Sequence, residues 1–193
     1  MFPPGGVMTQ VANYQPLEHL STFTAADSTL LTSYTPEIGN TWSALSGVPR
    51  IYSNHAAAGS AGQPANARVV TSLSDGVVEA DVRAIASGQY CDVVFRYSSA
   101  SQYWFVRLSN DVRLWTYNSG LTQRGIWSTT LAYDVTHNIR VVLSGANTDV
   151  YVDDVLRIQS TYGYVTTATT HGFYVYTFTA NTSWVDNFKV YTP

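Results

Sequence analysis

The sequence predicts an all-β chain folded as a two-sheet antiparallel sandwich, and three observations carry that expectation. From Val77 to Tyr117 four strands follow one another almost without interruption. Val78, Ala80, Val82 and Ala84 share one parity and Glu79, Asp81 and Arg83 the other, the pattern of a strand with one buried and one solvated face. Cys91, Val93, Phe95 and Tyr97 repeat it against Asp92 and Arg96, and Trp104, Val106, Leu108, Val112 and Leu114 repeat it against Arg107 and Arg113. One wet face is characteristic of antiparallel sheets. The second observation is that no amphipathic helix of useful length appears, and the third that no repeat of propeller or solenoid period is present, which leaves a single sandwich.

The elements follow in order. Leu17 to Phe23 forms a first strand, broken by Ala25-Ala26-Asp27-Ser28; Thr35-Pro36-Glu37-Ile38-Gly39-Asn40 turns into Thr41 to Leu45, and Arg50 to Ser53 is a short strand. Ala56 to Asn66, rich in small residues with Gly59, Gly62 and Pro64, reads as a loop. Arg68 to Leu73 is a strand, and Ser74-Asp75-Gly76 makes a tight hairpin into the long run. Gln123 to Ser128, Ile139 to Ser144, Asp149 to Asp153, Arg157 to Ser160, Gly172 to Phe178 and Trp184 to Tyr191 complete a sandwich domain over residues 17–193.

Residues 1–16 read as an extended N-terminal arm. Phe2, Val7, Met8, Val11 and Tyr14 stand among prolines and glycines, too apolar for a free tail and too irregular for a strand. Such a segment is expected to anchor the chain across a neighbouring subunit, its prolines limiting the entropy lost on ordering. Met1 to Gly6 has neither the basic region nor the apolar run of a secretory signal, and no segment is long enough to cross a membrane. The expectation is a soluble protein made in the cytoplasm, without membrane insertion.

Composition narrows the partners. Charged residues make up 12% of the 193-residue chain and aromatic residues 13%, with 14 tyrosines, so the surface must be largely Ser, Thr, Asn, Gln and Tyr. Such surfaces suit neutral polar partners, sugars or protein subunits. With a formal net charge of -3 and Lys189 as the lone lysine, the chain lacks the basic stripe of a nucleic-acid binder. Cys91 lies on the apolar parity of its strand and reads as a small, unpaired core residue.

Ala67-Arg68-Val69-Val70, Asp75 to Val82, Val94-Phe95-Arg96-Tyr97, Tyr103-Trp104-Phe105-Val106, Val150 to Asp154 and Val185-Asp186-Asn187-Phe188-Lys189-Val190, in that order, resemble the concanavalin A-like (laminin G-like) jelly-roll superfamily over roughly residues 67 to 192. The resemblance implies two curved antiparallel sheets and an aptitude for glycan or protein recognition. Domains of this pattern without signal peptides look like those in tail and other structural proteins of bacteriophages of actinobacteria. The reading this implies is a non-enzymatic virion protein, a tail or capsid-surface decoration module that associates with other virion proteins in a symmetric or multi-copy assembly and touches host-surface glycans. A secreted carbohydrate-binding module or lectin is the alternative, and a divergent glycan hydrolase a further one.

The candidate chemistry is sparse. Laminarinase-like glucanases of this fold use a Glu-x-Asp-x-x-Glu strand, since retaining hydrolysis needs two carboxyl groups on one cleft. Glu79 and Asp81 match and Ala84 does not, so no catalytic residue is assigned. His19, His55, His137 and His171 have no metal-type spacing, and neither metal nor cofactor is expected. Asp153-Asp154 beside Asp149 has the look of a calcium pair but reads as a hairpin turn. Asp186 shares parity with Phe188 and Val190 and is expected to point inward as a loop-organising acceptor. Asn181-Thr182-Ser183 reads as a polar turn. The expected glycan strip is the outer parity of the central strands: Arg96, Tyr103, Phe105, Arg107, Arg113, Trp115 and Tyr117, whose rings offer stacking faces and whose guanidinium forks bond hydroxyls or carboxylates. The plain alternative is a solvated face stitched by Arg–aromatic pairs and by ion pairs to Asp81 and Asp92.

Overall fold

The computed structural model describes residues 16–192. The expected assembly arm, with Phe2, Val7, Met8, Val11 and Tyr14, lies outside the described residues. Among these are β1 (Leu17–Ser21), β2 (Ser43–Ser46), β3 (Pro49–Tyr52), β4 (His55–Ala58), β5 (Pro64–Val70), β6 (Gly76–Arg83), β7 (Tyr90–Ser99), β8 (Gln102–Leu108), β9 (Val112–Asn118), β10 (Leu121–Trp127), β11 (Thr136–Ser144), β12 (Asn147–Val152), β13 (Val155–Thr161), β14 (Thr170–Tyr176) and β15 (Trp184–Tyr191). A short 3-10 turn spans Leu31–Ser33.

The strands form two sheets. One runs β13-β12-β11-β6-β15-β4-β3, with β1 sharing the β4 edge of β15; the other, seven-stranded, runs β10-β9-β8-β7-β14-β5-β2. Where the register is unbroken, alternation sets which side of a strand meets the core. Val78, Ala80 and Val82, with Ile139, Val141, Val150, Val185 and Phe188, face Val93, Phe95, Trp104, Val106, Leu114, Phe173 and Val175 from the other sheet, all buried. At one end Phe23, Trp42, Phe173 and Phe188 make a cluster of tilted and edge-on rings, with Trp42 centred 5.2 Å from Phe173 and 5.1 Å from Phe188. Cys91 is buried in this core, and burial pushes its thiol pKa up. Asp153 and Asp154 form the β12–β13 turn, both at positive φ (50° and 62°), which Asp tolerates.

Four local expectations are corrected. The loop placed over Ala56–Asn66 contains most of β4 and the start of β5, because alanine, a weak strand former in isolation, is what fits at buried positions beside large aromatics: Ala57 is the register partner of Trp184. Ser74-Asp75-Gly76 is no hairpin, since β5 and β6 belong to different sheets; the segment carries the chain across the sandwich. In β7 the register shifts between Phe95 and Ser99, with Arg96 in the left-handed region at φ 47°. This bulge inverts the parity, so Tyr97 lies on the outer face instead of the core. A second bulge in β15, with Asn187 at φ 48°, likewise turns Asp186 outward, 3.9 Å from His55. Burial raises the Asp186 carboxyl above its ordinary pKa.

Candidate functional site

The outer face of the seven-stranded sheet is where the aromatic residues gather. Its central strands β9, β8, β7 and β14 lie side by side, and their outward parity brings together Arg113, Trp115 and Tyr117, then Tyr103, Phe105 and Arg107, then Tyr90, Asp92 and Val94, then Tyr174 and Tyr176. Register fixes the neighbours: Tyr103 stands opposite Tyr117, Phe105 opposite Trp115 and Arg107 opposite Arg113 on one side, and Arg107 opposite Asp92 on the other. The rings follow that order, with Tyr103 and Tyr117 stacked at 5.2 Å and Phe105 and Trp115 at 6.4 Å. Tyr90 stacks on Tyr174 at 5.8 Å and on Tyr176 at 5.4 Å. Cross-strand pairs of this kind rigidify a sheet face.

The centre of the face is an ion pair. Arg107 donates through Nε and Nη2 to the two oxygens of Asp92, each at 2.8 Å, and its guanidinium lies 3.6 Å from the Tyr90 ring centre. Asp92 is only 4% exposed. Burial pushes its carboxyl above the ordinary range while the Arg107 fork pulls it back. On either side of the Arg107–Tyr90 stack lies a cleft. One, of about 250 Å³, is bordered by Arg68, Tyr103, Phe105, Tyr117, Leu121 and Tyr174. The other, of about 340 Å³, is bordered by Gln89, Asn110, Arg113, Trp115 and Tyr133. Both include Tyr90 and Arg107, so the stack is a shared wall. Burial raises the phenol pKa values of Tyr90, Tyr103 and Tyr174, leaving them as neutral hydroxyls at physiological pH.

Five residues of the expected strip, Tyr103, Arg107, Arg113, Trp115 and Tyr117, share this face, and Phe105 lies beneath them. Arg96 does not: it is 0% exposed, its Nη2 donates to Asp75 at 2.6 Å and its Nε to the Ser74 carbonyl at 3.0 Å. The β7 bulge turned it into a tie between the sheets. The structure adds Tyr90, Arg68 and Tyr174, whose parity opposite Cys91, Val69 and Phe173 was visible, although which strands flank β7 was not. Of the plain alternative, the Arg–aromatic pair and the ion pair to Asp92 are both made by Arg107, whereas Asp81 sits on the other sheet and accepts hydrogen bonds from the neutral amides of Asn138 and Asn187 instead of an arginine.

Glu79 is also on the outer face of the other sheet, across the molecule from the aromatic clefts. It accepts from Tyr191 Oη at 2.6 Å and from Lys189 Nζ and Asn138 Nδ2 at 3.3 Å. Asp153 accepts from His137 and the Asn138 amide, and Asp149 from Gln159. Among the described residues no group of three or more His, Cys, Asp and Glu is placed to hold a metal ion.

No protein-family model matches the chain, and no curated protein matches it in sequence. Solved structures do. The carbohydrate-binding module CBM66 from Bacillus subtilis aligns with a TM-score of 0.63 at 15% identity, over 78% of this chain and 95% of its own. Domain 4 of AbnA, an extracellular arabinanase from Geobacillus stearothermophilus in complex with arabinotriose, gives 0.55 at 12% identity over 86% and 94%. The beta-glucanase of Bacillus licheniformis gives 0.57 at 12% identity over 88% and 99%. At such identities the likeness is one of fold, and the fold is the concanavalin A-like jelly roll, an antiparallel sandwich of two sheets.

Proposed function

We propose that this chain is a non-catalytic glycan-binding module that holds a sugar chain across the outer face of the seven-stranded sheet. The observation that carries the reading is the pair of clefts divided by the Arg107–Tyr90 stack and walled by tyrosines and Trp115. Apolar C–H faces of sugar rings stack on such rings, while Arg107, Arg113, Asn110 and the tyrosine hydroxyls supply hydrogen bonds to sugar hydroxyls. A pre-ordered ladder loses little side-chain entropy on binding.

Two sequence-derived settings compete for such a module, a virion surface and a secreted carbohydrate-binding module or lectin. The likeness to a carbohydrate-binding module and to a domain complexed with arabinotriose favours the second. The absence of catalysis is inferred from the carboxylates. Hydrolysis by either stereochemical course needs two carboxyl groups about 5 to 9.5 Å apart on one cleft. Among the described residues Asp92 is the one carboxylate bordering the two clefts, both its oxygens are held by Arg107, and Glu79 faces the other side of the molecule.

A glycan microarray followed by titration calorimetry tests the reading. Binding to at least one glycan class is expected, weakened about tenfold by Trp115→Ala, the size of one lost stacking contact. Equal affinity of Trp115→Ala and the parent, or measurable hydrolysis of a bound glycan that Glu79→Gln abolishes, overturns it.

A further inference from the structure

Charge divides unevenly within the cleft of about 250 Å³. Arg68 on β5 lies at its border and is 4% exposed. Its Nη1 donates to the carbonyls of Ala67 and Phe173, each at 2.7 Å, while its Nε–H is buried without a partner. Among the described residues no carboxylate is bonded to it: the only acid bordering the cleft, Asp92, has both oxygens in the Arg107 fork. Arg68 and Arg107 against Asp92 leave the cleft with one positive charge in excess, in a chain whose net charge is -3. Burial draws the Arg68 pKa down to about 10, so the group is still a cation at neutral pH. A buried cation without a counter-ion is costly unless something supplies one.

The surroundings say what kind of anion fits. Tyr97 lies under the guanidinium at 4.9 Å, and Tyr90, Tyr103, Tyr117 and Tyr174 line the cleft with rings and neutral hydroxyls. That lining is made for a polar ring with many hydroxyls, not for a bare ion. The planar guanidinium edge matches a carboxylate in geometry and charge. Resting on the glycan-binding reading, we propose that this cleft takes a sugar residue carrying a carboxylate, a uronic acid, with Arg68 as the charge-selecting group and the tyrosine rings as the platform.

The test uses the unmodified full chain. Oligosaccharides of galacturonate, glucuronate and mannuronate are titrated beside their carboxyl-reduced neutral counterparts and a sulfated neutral oligosaccharide of equal length. At least one uronide is expected to bind about tenfold tighter than its reduced form, the scale of one charge-assisted contact. Arg68→Lys, which keeps the charge but loses the fork, should reduce that preference several-fold. If reduced or sulfated sugars bind equally well or better, the carboxylate assignment is overturned and the glycan-binding reading stands. If no sugar on the array binds, both are overturned. If Arg68→Lys is folded by circular dichroism and keeps the full preference, Arg68 is not the selecting group.

Discussion

Acidification should destabilise this fold through His171, and the structure sets the size of the effect. His171 is 1% exposed. Its Nε2 lies 2.8 Å from the Leu73 carbonyl, an acceptor only, so Nε2 carries the proton. Its Nδ1 accepts the Arg96 amide at 3.4 Å. The neutral ring is therefore satisfied at both nitrogens, and a second proton would have to displace the Arg96 amide beside a guanidinium. Burial, with help from the Arg96 charge, lowers its pKa to about 4. The folded state refuses a proton that the unfolded chain accepts below its ordinary 6.5, so the stabilisation is complete above that value and drains away as pH falls towards the folded-state pKa. At about 1.4 kcal/mol per pH unit, His171 alone removes about 2 kcal/mol by about pH 5. Burial also lowers His19 to about 4, so it adds to the loss. Asp92 and Asp186, whose carboxyls are raised, oppose it. A single-residue comparison isolates the term: urea unfolding of the parent and of His171→Gln, each at about pH 7.5 and about pH 5. The variant should lose about 2 kcal/mol less than the parent between the two conditions, since its lost hydrogen bonds weigh equally at both. Identical pH dependence in the two proteins would refute the reasoning.

Asp92→Ala should cost about 3 kcal/mol by leaving the partly buried Arg107 without its acceptor beside Arg68, and Asp92→Ala combined with Arg107→Met should recover part of it; a single-variant loss below about 1 kcal/mol in urea unfolding counts against a stabilising pair. Gly172→Ala should cost about 3 kcal/mol or prevent folding, because its Cβ would sit 2.1 Å from the Ala67 carbonyl oxygen and 2.9 Å from Arg68 Cδ; a thermal midpoint unchanged from the parent contradicts that crowding. The Cys91 thiol should react with an aromatic disulfide reagent only as fast as the chain unfolds, and rapid labelling of the native protein would show its strand facing the other way.

Regular strands were the legible part of both the fold and the site. Tyr103, Arg107, Arg113, Trp115 and Tyr117 were found by parity alone because β8 and β9 pair from Gln102 to Leu108 without a register shift. Arg96, Tyr97 and Asp186 were misplaced because a bulge inverts every side chain beyond it. The β7 bulge is held by Asp75 and His171, groups distant in the chain, so no local signal announces it. Arg68 carries no local signal, because its place at the cleft depends on β5 lying next to β14, a long-range pairing. The alanine-rich β4 has no strand signal of its own because strand preference reports packing partners, which only the assembled sandwich supplies.

The position of the last two strands has a consequence for synthesis. β14 lies between β7 and β5, and β15 between β6 and the β4 and β1 edge. Both sheets are thus completed from the middle by residues 170–191, the last to leave the ribosome among those described. Until then β5, β6 and β7 each present an unpaired edge, and the aromatic cluster lacks Phe173 and Phe188. Neither sheet can close before β14 and β15 have emerged, and until then its open edges are prone to pair with other chains. Closure then depends on contacts between distant segments, which places this domain among the slow folders and makes the interval between translation and closure its period of greatest exposure to aggregation.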